Sequence, residues 1–293
     1  MSCCVMRRGG QASARDNDAY FLMRGNRQPF PVRGAARRKM TNPTFKDYFS
    51  ASAASYAEFR PRYPAELFDI VSAIPARRGT AWDCATGNGQ AAVPLADRFA
   101  RVIATDASRE QIAHAAEHPR VSYTVALADA SGLPDASVDL VTVAQALHWL
   151  PFDSFFTEVE RVVAPGGALA VWCYTRPTLD GELDAILLRY YSGTCKPYWS
   201  PERCLVDEGY RSVPLPIREI EPPPMRIEAH QTLAEFAGYV RTWSATIKLT
   251  KAIGRDPVVN LERELAPLWG DVDKRQPVRW PIVLRSGRLR RDD

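Results

Sequence analysis

The spacing of apolar residues changes along the chain. Phe45, Tyr48, Phe49, Ala53, Tyr56 and Phe59 recur every three or four positions, the signature of one helix face, and Pro61 and Pro64 end the run. A second helix is predicted over 67–74. Short apolar runs then appear at 80–84, 101–105, 121–126, 138–144 and 168–174, bounded by turn residues such as the Pro-Asp-Ala-Ser at 134–137 and the Ala-Pro-Gly-Gly at 164–167; these predict strands. Helical spacing returns between them at 90–99, 108–116 and 152–163. Ser108 is placed to cap its helix, with Gln111 as the reciprocal partner of a capping box. Beyond Tyr174 the pattern predicts helices over 179–191, 232–242 and 258–265. It also predicts a strand over 218–229 interrupted by prolines 222–224, and a last strand over 278–284. Residues 192–216 fit no period, and 285–293 read as a charged, frayed tail. The strand–helix alternation predicts an α/β fold, a parallel sheet with helices on both faces and right-handed crossovers.

Composition alters this picture at one end. Residues 1–40 hold nine Arg or Lys against Asp16 and Asp18, without sustained apolar periodicity, and read as a disordered basic extension, with an Arg-rich, acid-poor transit peptide as the rival reading; Met40 has the look of a protein start. The remaining 253 residues hold 29 basic and 32 acidic side chains, a net of −3, so the formal +4 of the whole chain comes from the extension. The rest offers no bulk electrostatic case for nucleic acid. No apolar run reaches membrane-spanning length and no segment reads as a signal peptide. Six scattered cysteines show neither a Cys-x-x-Cys pair nor zinc-ligand spacing, so no metal is expected. A cytoplasmic protein, monomer or homodimer, with no membrane and no nucleic-acid partner, is the expectation. The domain divides into a cofactor-binding part at about 45–175 and acceptor-pocket elements at about 176–250, within one domain over 41–285 ahead of a tail at 286–293.

The chemistry concentrates in Thr-Ala-Trp-Asp-Cys-Ala-Thr-Gly-Asn-Gly, residues 80–89. Gly87 and Gly89 follow a strand and precede a helix, where ligand atoms approach the backbone closely. Gly87-x-Gly89-x-x-Ala92 satisfies a relaxed dinucleotide fingerprint, and Asp106, ending the next strand, can accept from both hydroxyls of a ribose. Asp83 beside the loop would repel a pyrophosphate and suits a ligand carrying a cation. Asp129 ends the third strand, where a carboxylate can accept from an adenine amine while the Ala130 N–H donates to a ring nitrogen. Two ligand classes survive these residues: a nicotinamide dinucleotide and another adenosine-containing cofactor.

At these residues a resemblance emerges. Trp-Asp-Cys-Ala-Thr-Gly-Asn-Gly at 82–89, Val-Ile-Ala-Thr-Asp-Ala-Ser at 102–108, the segment 128–141 and Ala-Pro-Gly-Gly-Ala-Leu-Ala-Val-Trp at 164–172 resemble the successive motifs of class I S-adenosylmethionine-dependent methyltransferases. Residues 56–64 and 144–150 resemble the branch containing trans-aconitate methyltransferases, near the ubiquinone and menaquinone biosynthesis enzymes. The resemblance implies a Rossmann-like, seven-stranded, mostly parallel sheet whose last strand is antiparallel, and S-adenosylmethionine as cofactor. It implies that Asp83, Gly87 and Gly89 line the methionine part, Asp106 the ribose, and Asp129 and Ala130 the adenine. Gln145 would lie beside the sulfonium, with Tyr56 and Arg60 closing the site and Arg60 pairing with the cofactor carboxylate. Ala85 departs from the family, which has a glycine there.

Methyl transfer from a sulfonium needs alignment and water exclusion more than acid–base help. His148 is the candidate base only if the acceptor carries a proton at neutral pH. Trp149 and Trp243 are candidate pocket walls. For Tyr56, Arg60, His148 and Trp243 an ordinary packing or solvated role stands beside the functional one. The aromatic and arginine content of 176–250, including Arg189, Arg203 and Arg241, suits a small, partly apolar acid. An Asn/Asp/Ser-Pro-Pro-aromatic turn and a Pro-Cys pair, needed by DNA-methylating enzymes, are both missing from the sequence. A small-molecule O-methyl transfer to a carboxylate or hydroxyl is therefore expected, with an NAD(P)-dependent oxidoreductase or a non-catalytic cofactor-binding protein as the alternatives.

Overall fold

The computed structural model describes residues 59–290. Tyr56, nearly all of the helix expected at 45–59 and the basic stretch 1–40 lie outside the described residues. From there α1 (Ala65–Ala73), β1 (Thr80–Cys84), α2 (Ala92–Ala96), β2 (Arg101–Asp106), α3 (Arg109–Ala113), β3 (Val121–Val125), β4 (Val138–Ala144), α4 (Phe152–Val162) and β5 (Val163–Tyr174) follow the apolar pattern. The five strands pair in parallel in the order β3-β2-β1-β4-β5. Chain direction across the sheet reverses between β1 and β4, and their carboxyl ends frame the crevice where such sheets take ligands.

The strands alternate between two cores, as a period of two requires. Ala81, Leu140, Ala168, Ala170 and Trp172 face one layer, with Leu67, Phe68 and Val71 of α1 and Leu95 of α2. Trp82, Val141, Val143, Leu169 and Val171 face the other, with Phe155, Val159 and Val162 of α4. Trp82 and Trp172 are fully buried on opposite faces. The indole N–H of Trp82 donates to Thr105 Oγ1 at 2.9 Å, so its polar edge is satisfied inside the core.

The second half completes the sheet and builds a cap. β6 (Ile217–Ile220) and β7 (Met225–Gln231) both pair antiparallel with β8 (Gln276–Leu289), which itself runs antiparallel to β5. Among the described residues the sheet thus has eight strands where seven were expected, because the prolines at 222–224 cannot donate to a ladder and split one predicted strand into two. The expected frayed tail is corrected as well: residues 286–289 are paired strand, Arg288 with both β5 and β6. Helices α5 (Glu182–Arg189), α6 (Arg203–Asp207), α7 (Leu233–Arg241), α8 (Ser244–Ile253) and α9 (Val258–Trp269) form the cap. Thr232 and Glu235 close a full capping box at the start of α7. α8 was not anticipated. It starts at Trp243 without a side-chain cap, and only the left-handed Gly254 at its end marked it in the sequence.

Candidate active site

The loop after β1 turns back on itself through three left-handed residues, Ala85 (φ 55°), Gly87 (φ 57°) and Gly89 (φ 89°). This explains the family's glycine at position 85: alanine adopts that conformation at a cost of roughly 1–2 kcal/mol. Gly87 borders the cleft described below. Gly89 does not; a Cβ there would overlap the Tyr123 hydroxyl, so its glycine serves packing.

Asp83 does not face the ligand crevice. It is fully buried behind the loop and accepts from Thr86 Oγ1 at 2.5 Å and from Thr142 Oγ1 at 2.7 Å. It pins the glycine loop to the tip of β4. Burial raises its pKa to about 6, against the opposing effect of the two hydroxyls. Asp106 does face the crevice. One oxygen accepts from the Gly87 N–H and the other from the Ser108 N–H, both at 2.8 Å. Ser108 caps α3 by accepting from the Gln111 N–H at 3.2 Å, but the reciprocal half of the expected capping box is absent because Asp106 takes the Ser108 N–H instead. Asp129 borders the same cleft and accepts from Ser154 Oγ at 3.0 Å. Ala130 is a correction: its N–H donates to Leu127 O at 3.2 Å inside a turn, and Ala126, Leu127 and Ala128 form the wall there.

Gln145 follows β4 in a left-handed conformation (φ 55°), a strained backbone of the kind that collects at functional sites. Its side chain clamps the end of β5: Oε1 accepts from the Tyr174 N–H at 2.7 Å and Nε2 donates to Tyr174 O at 3.1 Å.

These residues border two adjoining spaces. The larger, about 660 Å³, lies over the carboxyl ends of β1, β2 and β4, within the size range of nucleoside-type ligand sites. Among the described residues its charged lining is Asp106, Asp129 and Glu202, with no Arg or Lys. The smaller, about 50 Å³, has Arg60, Arg176 and Arg203 in its wall with Trp149, Tyr191, Trp199, Tyr239 and Trp243, and no acid among the described residues. Gln145, His148 and Trp149 belong to both. Arg60 therefore borders the smaller space and not the cofactor-sized one: its Nη1 donates to Tyr174 Oη at 2.8 Å and its Nη2 to Thr242 O at 3.1 Å. Arg189 and Arg241 border neither; they pair with Glu264 and with Asp256 and Glu262. Glu202, at the start of α6, was missed because its segment carries no period.

His148 is buried, with Nδ1 3.0 Å from Tyr210 Oη. Burial, aided by the nearby Arg203 cation, lowers its pKa to about 3. The ring is neutral at physiological pH and too weak a base to hold a proton there, which removes most of the expected base function.

The methyltransferase domain family model matches residues 82–171, from β1 to the end of β5. A Dictyostelium discoideum protein named as a methyltransferase is 31% identical over 257 residues, covering 84% of this chain and 98% of that protein. Methyltransferase cfoB of Aspergillus candidus is 30% identical over 164 residues, about half of each chain. A solved structure from Anaeromyxobacter dehalogenans, named as a type II methyltransferase, superposes with a TM-score of 0.75 at 43% identity, covering 78% of this chain and 98% of that one. The family-model match contains the acidic walls of the cleft except Glu202; Arg60, Arg176 and Arg203 all lie outside it.

Proposed function

Since the chain belongs to the class I S-adenosylmethionine-dependent methyltransferases, we propose that it transfers a methyl group to a carboxylate oxygen of a small, partly apolar acid. The observation that carries this reading is the segregation of charge between the two spaces. Among the described residues, acids without Arg or Lys border the larger one and arginines without acids border the smaller one. A cofactor with cationic sulfonium and ammonium groups suits the first, an anion the second. A dinucleotide is disfavoured because its diphosphate would meet carboxylates and, among the described residues, no Arg or Lys.

The residues fit the cofactor. Asp106 borders the cleft where ribose hydroxyls would reach its carboxylate, Asp129 stands beside the apolar wall at 126–128, and Gly87 gives close backbone approach. The cofactor supplies an activated methyl on sulfur. The chain's part is to align the acceptor and exclude water, worth on the order of 7–11 kcal/mol when orientation is good. Gln145, His148 and Trp149, shared by both spaces, stand where acceptor and donor meet. A carboxylate arrives already deprotonated, so a histidine that cannot collect a proton at neutral pH is no handicap.

The test is transfer of radiolabelled methyl to a panel of small acids, phenols and amines. Label on acids, released as methanol by mild alkali as an ester requires, supports the proposal. Label confined to phenols or amines overturns it, and so does titration that detects NADH binding but no S-adenosylhomocysteine binding. Cofactor binding without transfer to any compound of the panel favours the non-catalytic alternative.

Asp83 gives a pH prediction. Its folded pKa of about 6 lies above the unfolded value of about 3.9, so the folded protein binds the extra proton between these values. Its contribution to stability is therefore present below about pH 4 and is lost as pH rises through 6. Thermal melting between pH 4 and 7 checks this, and Asp83→Asn should flatten the dependence.

A further inference from the structure

The three arginines around the smaller space are not equivalent. The Arg176 fork is already spent: Nη1 and Nη2 reach both oxygens of Asp184 at 2.8 and 2.9 Å, and Nη1 also donates to Pro177 O. Arg60 spends Nη1 and Nη2 on Tyr174 Oη and Thr242 O. Arg203 is held by its inner nitrogen alone. Its Nε donates to Tyr191 Oη at 2.9 Å and to Asp207 Oδ1 at 3.1 Å. Its guanidinium carbon lies 4.9 Å from the Trp199 ring centre and 5.5 Å from that of Tyr191. Among the described residues, Nη1 and Nη2 of Arg203 make no hydrogen bond or ion pair. The side chain is only 19% exposed and borders the smaller space.

A guanidinium fixed through Nε and against two rings, with its outer edge uncommitted in a space that no acid among the described residues borders, is arranged to grip a planar anion. We infer that Arg203 is the specificity-determining residue of the acceptor pocket: its Nη1 and Nη2 bind a carboxylate of the acceptor, while Arg176 and Arg60 brace the pocket wall. This rests on the acid-acceptor reading above. The ring contacts and the Asp207 bond fix the orientation of the fork before a ligand arrives, so little rotamer freedom is lost on binding. The position of the acceptor relative to Gln145, His148 and Trp149 follows from that grip.

The experiment compares simple acids with their uncharged amides: acetate to hexanoate and benzoate, each against its primary amide. Binding is followed through the fluorescence of the tryptophans in the pocket, with S-adenosylhomocysteine present. The wild type should prefer acid over amide by about 10- to 100-fold, the range for charge-assisted hydrogen bonds. Arg203→Gln should bring that ratio near one, Arg203→Lys should keep part of it, and S-adenosylhomocysteine affinity should stay within about twofold in both. If Arg203→Gln keeps the preference while Arg60→Gln or Arg176→Gln loses it, the assignment to Arg203 is overturned and the acid-acceptor reading survives. A wild type that shows no preference for acids overturns both. Should Arg203→Gln fold poorly, Arg203→Lys decides: full retention of the preference, without the geometry of the fork, counts against the inference.

Discussion

Replacing Asp106 by alanine is expected to weaken S-adenosylmethionine binding by about 1–3 kcal/mol, roughly 5- to 150-fold, with a much smaller effect on the melting temperature. Two losses combine. The acceptor for ribose hydroxyls disappears, and the N–H groups of Gly87 and Ser108, both held at 2.8 Å, lose the carboxylate that shapes the loop. Asp106→Asn separates them. It can still accept one of the two N–H bonds but carries no charge, so it should fall between alanine and wild type. Titration calorimetry with S-adenosylmethionine measures all three, and an Asp106→Ala protein that binds with unchanged affinity would exclude the ribose role.

Gly89→Ala should act on stability instead, by roughly 2–4 kcal/mol. The residue sits at φ 89°, and the new methyl would overlap the hydroxyl of Tyr123, whose ring carbons lie at 3.1 and 3.2 Å from the added Cβ. The tyrosine cannot swing aside freely, because its hydroxyl donates to Ala116 O at 2.7 Å. Backbone strain of about 1–2 kcal/mol and overpacking of about 1–3 kcal/mol therefore add, with some relaxation. For a domain of this size that is a fall of roughly 5–12 °C in melting temperature. Gly89→Ala, Tyr123→Phe leaves the backbone strain and removes the hydroxyl in the way; it should recover part of the loss. A single variant that melts like the wild type would show that the loop does not hold this conformation in solution.

The two substitutions mark how far local pattern carries. Asp106 was legible because it depends on its own neighbourhood: it ends a strand, 19 residues after Gly87, and bonds to the loop beside it. The loop glycines were legible as a pair, but their separate roles were not, since Gly89 answers to a tyrosine on β3. Asp83 was located correctly and oriented wrongly. The residue number gives the strand tip, whereas Thr142, 59 residues away, turns its carboxylate into the core. Ala130 was misjudged for a similar reason: one turn bond to Leu127 consumes the donor that the sequence offered.

The sequence by itself determined the strand–helix alternation, the parallel sheet and the glycine loop with its acidic strand end, because periodicity and turn chemistry act over a few residues. Only the tertiary structure decided which charges share a space. Arg60 meets Tyr174 and Thr242 across 114 and 182 residues, Arg176 comes from the loop after β5, and Arg203 and Trp243 come from separate parts of the cap. Side-chain direction at such meetings is set by packing and burial of the whole chain, and no local pattern encodes it.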